Sequence, residues 1–65
     1  MTVDDVRERV ENIRQAAFDD EVAHGMEDEL YAEVLKAIAN GADSPEKLAA
    51  EALKTEKIEF SRWYS

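Results

Sequence analysis

Residues 40–46, Asn-Gly-Ala-Asp-Ser-Pro-Glu, constrain what this chain can fold into more than any other stretch. Glycine takes the left-handed conformation that ends a helix without a Cβ penalty. Ser-Pro-Glu then reads as an N-cap, a first helical residue that needs no N–H, and an acid beside the positive end of the helix dipole. One helix must stop near Asn40 and another must start near Pro45, with almost nothing between them.

The flanking patterns agree. Thr2 and Asp5 have the T-x-x-D form of a capping box, and Val3, Val6, Val10, Ile13 and Ala17 follow at alternating steps of three and four, which is one apolar stripe of a helix over about 3–17. Arg7, Glu8, Glu11 and Arg14 fall on its other face, with Arg7 and Glu11 spaced as an i, i+4 ion pair. Asp19 and Asp20 mark the next start, for a helix over about 20–40. In it Met26, Leu30, Val34 and Ala37 form one row and Tyr31, Leu35 and Ile38 a second. So broad an apolar surface predicts that this helix lies between the other two elements. Gly25 interrupts it and costs about 1 kcal/mol relative to alanine, which suggests close packing or a kink. The third helix, over about 45–54, turns Leu48, Ala49, Ala52 and Leu53 inward and offers little apolar area of its own.

A chain of 65 residues without cysteine has no disulfide to staple it and buries only about 60% of the surface its unfolded form exposes. The tail over 55–65 holds Ile58, Phe60, Trp63 and Tyr64. Aromatic side chains bury ~150–250 Å² each, so seating Phe60 and Trp63 on the alanine-rich third helix would be worth several kcal/mol at ~25 cal/mol per Å². The expected fold is all-α, a single compact three-helix bundle with its C-terminal aromatic tail packed back on it and Arg62 and Tyr64 exposed. The rival reading leaves the tail outside as an anchor for a partner, because Trp, Tyr and Arg dominate interface hot spots.

Little in the sequence supports chemistry. Without cysteine there is no thiolate nucleophile and no sulfur ligand for zinc. His24 is the only histidine, and Glu21-x-x-His24 is one copy of an element that helical carboxylate metal sites use in duplicate. There is no Gly-rich phosphate loop and no nucleophile elbow. Three short helices also enclose too little volume for two carboxylates of separated pKa. No enzyme, no metal and no cofactor are expected. No stretch approaches the ~20 apolar residues that span a bilayer, and the first residues lack a signal-peptide pattern, so the expected location is cytoplasmic.

The formal net charge is −8, and residues 1–40 hold eleven acids against four Lys and Arg. Such a field repels nucleic acid and favours basic partners or plain solubility. Residues 34–55 share with helix-turn-helix domains an apolar helix ending in glycine and a Ser-capped helix bearing Leu-Ala. The residues that follow, Glu56-Lys57-Ile58-Glu59-Phe60, are acidic and apolar where a recognition helix needs Arg, Lys, Asn or Gln. A reduced helix-turn-helix regulator is therefore the alternative reading. The leading one is a non-enzymatic protein-interaction domain, monomeric or homodimeric, with Glu27, Asp28, Tyr31, Arg62 and Tyr64 as candidate contacts to another protein, for which the charge favours a basic one.

The segments Glu27-Asp28-Glu29-Leu30-Tyr31, Ala37-Ile38-Ala39-Asn40-Gly41, Leu48-Ala49-Ala50-Glu51-Ala52-Leu53-Lys54-Thr55 and Ile58-Glu59-Phe60-Ser61-Arg62-Trp63-Tyr64 together resemble a group of short acidic proteins of actinobacteria and their phages. The likeness spans most of residues 20–65. That group has no assigned activity, so the resemblance implies a phage or actinobacterial origin and carries over no catalytic residues.

Overall fold

In the computed structural model, which describes residues 1–62, three α-helices follow one another: α1 Val3–Gln15, α2 Asp20–Ala39 and α3 Pro45–Ala52. A five-residue 3-10 helix, η1 (Leu53–Lys57), continues directly from α3. There is no strand among the described residues, and none of their helices is long and apolar enough to cross a membrane. The Cα radius of gyration is 11.6 Å, close to the roughly 11 Å of a compact chain of this length.

Local chemistry sets most of the helix ends. The Asp5 N–H donates to Thr2 Oγ1 and the Thr2 N–H to Asp5 Oδ2, completing the capping box of α1. Asp19 Oδ1 accepts from the Val22 N–H at the start of α2. At its other end, with Gly41 at φ +85°, the Ala42 N–H donates to Ala37 O and the Gly41 N–H to Ile38 O, the double closure of a Schellman motif.

Ser44 departs from expectation. It sits in the left-handed region at φ 51°, ψ 54°, and its hydroxyl caps nothing; α3 opens instead on bonds from the Lys47 and Leu48 N–H groups to Ser44 O. A residue before proline is discouraged from the right-handed helical region, and the short link from Gly41 takes the left-handed alternative.

The core is built from Val6, Val10 and Ile13 of α1, Ala23, Leu30 and Val34 of α2, Leu48 and Ala52 of α3, and Ile58 beyond η1. Each helix packs on both of the others, so α2 does not lie between two neighbours. Its buried row is Ala23-Glu27-Leu30-Val34, while Met26, Ala37, Tyr31 and Ile38 are only half-buried and Leu35 is exposed. The second apolar row of α2 therefore faces outward, along a groove. Leu53, expected inside, is also exposed, because the chain tightens into η1 at that residue and the 3-10 winding turns Thr55 inward in its place. Gly25 does not mark close packing, since a Cβ there would meet no atom of another element within 4 Å, and α2 runs on through it as one helix. Arg7 bonds to Asp4 and, across the helix interface, to Glu51, leaving Glu11 to Arg14. Arg9 clamps α1 to α2 by a two-pronged pair with Glu33 at 3.1 and 3.0 Å.

Candidate functional site

Two neighbouring features stand out, an internal clamp and an apolar groove beside it. The clamp begins with Glu27, whose place in the buried row of α2 puts a carboxylate where only a paired charge is tolerated. Its partner comes from 35 residues further along the chain. Arg62 Nε donates to both Glu27 oxygens at 3.0 and 3.3 Å, and Nη2 to Oε2 at 3.0 Å. The same guanidinium donates to the carbonyls of Thr55 (2.6 Å), Ile58 (3.1 Å) and Phe60 (3.3 Å), and lies 3.8 Å from the centre of the Phe60 ring. Burial pushes the Glu27 carboxyl up, but hydrogen bonds from Arg62 and Thr55 and the guanidinium charge outweigh it, and its pKa falls below the usual carboxylate value. The side chain of Glu27 is 5% exposed and that of Arg62 32%.

Thr55 joins clamp to groove. Fully buried in η1, its hydroxyl shares a hydrogen bond of 2.5 Å with the Tyr31 hydroxyl, so η1 is held against α2 by both its backbone and its side chain. Burial holds the Tyr31 phenol above its ordinary pKa. Farther along, the Ser61 N–H donates to Asp20 Oδ1 at 3.0 Å. The chain after η1 thus runs back along α2 from Tyr31 toward its first turn.

The groove lies between α2 and the α3–η1 segment. Tyr31, Val34, Leu35, Ile38, Ala49, Ala52 and Leu53 line it, and it encloses about 250 Å³. Leu35 and Leu53 stand on its two walls, 67% and 51% exposed. The only polar group the lining side chains offer is the Tyr31 hydroxyl, already engaged by Thr55.

The five residues expected to contact a partner divide between these features. Tyr31 lines the groove and Asp28 is exposed one turn before it, 3.8 Å from His24 Nδ1. Glu27 and Arg62, expected on the surface, bind each other; Glu27 is buried because it shares the inward row with Leu30 and Val34. Tyr64, like Trp63, lies outside the described residues. The pairing of Glu27 had a signal in the sequence, an acid spaced at four, three and four with Ala23, Leu30 and Val34, which demands a cation. Leu35 and Leu53 had none, because an exposed leucine and a buried one share the same helical spacing.

Among the described residues no group of three or more His, Cys, Asp or Glu side chains is arranged to hold a metal ion. After α3, where a helix-turn-helix protein carries its recognition helix, stands the short η1. No protein-family model, curated protein or solved structure matches the chain.

Proposed function

We infer that this protein is a non-enzymatic interaction domain that docks another protein on the groove between α2 and α3–η1. One observation carries the reading: in a chain that is 37% charged, two large leucines are left in water on facing walls of a wholly apolar cleft. Single exposed apolar residues are ordinary, but a contiguous patch in a depression marks contact with a partner. The clamp supports this role, because Arg62 and Thr55 hold η1, and with it Leu53, against α2. A cytoplasmic setting fits a cysteine-free chain of −8 charge, and a phage or actinobacterial origin is what the resemblance given above implies.

The aromatic tail belongs to the same reading. Phe60 is half-buried against the core, which is the part of the expected closure that falls within the described residues. Removing residues 63–65 should lower the melting temperature; an unchanged melt would restrict the closure to Ile58, Phe60 and Arg62. The docking role is tested by placing a photo-crosslinking amino acid at position 35 and irradiating the protein in lysate of its source cell. The expected result is a discrete adduct that disappears in a Leu53→Glu background. An adduct pattern unchanged by Leu53→Glu, or no adduct at all, rejects the groove as the contact surface.

A further inference from the structure

We propose that the occupant of the groove is an amphipathic helix whose apolar stripe is bracketed by lysine or arginine. This inference rests on the docking role and goes beyond it by naming the partner's chemistry.

The lining and size of the groove argue against one class of ligand. Small-molecule sites usually measure ~300–1,000 Å³ and contain a few placed polar groups, whereas this one encloses about 250 Å³ and offers no free polar side chain. What fits an open, apolar trough between two helical walls is a row of side chains from a third helix, inserted at i, i+3 or i+4, and i+7.

Charge then selects among helices. The lining residues Tyr31, Leu35 and Ile38 of α2 and Ala49 and Leu53 of α3–η1 are flanked at helical spacing, outside the lining itself, by Asp28, Glu46 and Glu56, and all three acids are exposed. Each apolar row thus opens on a carboxylate, and the second closes on one as well. Lys47 and Lys57 follow Glu46 and Glu56 in the chain and His24 Nδ1 lies 3.8 Å from Asp28, so the pull on a cation comes from the three acids together with the net charge rather than from any one of them. The net charge of −8 adds a long-range pull on a basic segment and repels an acidic one.

The same charge argues against a second copy of the chain, since two such copies repel each other. A stable dimer also needs about 800 Å² buried per partner, far more than a trough with two exposed leucines supplies.

The test uses two fluorescently labelled helical peptides of equal length and identical leucine positions, one with a lysine polar face and one with glutamate. Their binding to the intact protein is followed by anisotropy at low and high salt. The lysine peptide should bind about tenfold or more tighter than the glutamate peptide, a difference of about 1.4 kcal/mol or more, and should weaken as salt rises. Leu35→Ser/Leu53→Ser should cost a similar factor with the melting curve unchanged, and Asp28→Asn/Glu46→Gln should weaken the lysine peptide selectively. Equal affinity for the two peptides overturns the basic partner while leaving the docking role to the crosslinking result. Undiminished binding to the double leucine variant overturns the groove as its seat. No binding of either peptide also overturns the proposal, and a dimer mass by light scattering that Leu35→Ser/Leu53→Ser returns to monomer would assign the groove to a second copy.

Discussion

Removing Arg62 should cost the protein a large part of its stability, and the size of the effect can be worked from the clamp. Arg62→Ala deletes a forked ion pair, three hydrogen bonds to carbonyls and a cation–π contact. It leaves a carboxylate whose side chain is 5% exposed without its counter-ion. Breaking a buried pair from one side typically costs about 3–5 kcal/mol, but two effects lower that here. Arg62 is a third exposed, so water can enter where it stood. Glu27 can also take up a proton, which at pH 7 costs about 1.36 kcal/mol for each unit above its ordinary value of ~4.3 and sets a ceiling near 4 kcal/mol. The expected loss is about 2–4 kcal/mol, a large part of the roughly 5 kcal/mol a domain of this size possesses. Urea denaturation followed by circular dichroism reads it directly. With a slope of about 1 kcal/mol per molar for so small a chain, the midpoint should fall by about 2 M or more. The deficit must also depend on pH. Because the folded state depresses the Glu27 pKa, its contribution is fully present above the unfolded value and is lost as pH falls through the lower folded one. Wild type and variant should therefore converge in acid. A variant within about 0.5 kcal/mol of wild type at pH 7, or a deficit of equal size at pH 7 and pH 3, would refute the assignment of Arg62 and Glu27 as the clamp that closes the fold.

The backbone and the Tyr31 bridge offer three further tests. Gly25→Ala should raise stability by about 0.5–1 kcal/mol, as helix propensity predicts for a site where the added methyl meets open space; thermal melting checks it. Gly41→Ala should lower stability by about 1–2 kcal/mol and Ser44→Gly raise it by a smaller amount, because both positions hold positive φ and only glycine does so without strain. Paired urea titrations would read the opposite signs. Tyr31→Phe should cost about 0.5–1.5 kcal/mol, since it removes one hydrogen bond from the buried Thr55 hydroxyl while leaving the one to Glu27, and the Thr55 amide should then lose some protection from hydrogen exchange.

The sequence alone determined where this protein is helical, because caps, glycines and apolar spacing act over one or two turns. The Thr2–Asp5 box, the Asp19 cap, the Gly41 stop and the Val6-Val10-Ile13 stripe are all local in this sense. Even the exception at Ser44 is a contest between two local rules, a capping hydroxyl against a following proline. Tertiary structure decided what spacing cannot encode, namely which of several apolar rows turns inward and which distant charge answers a buried one. Leu30 and Leu35 both fit a helical stripe, yet one is in the core and the other lines a groove. Glu27 and Arg62 each look like surface residues until a chain reversal after η1 carries the guanidinium onto α2. The reason is one of range: a cap responds to its immediate neighbours, whereas burial and charge pairing depend on the whole arrangement of helices around each side chain.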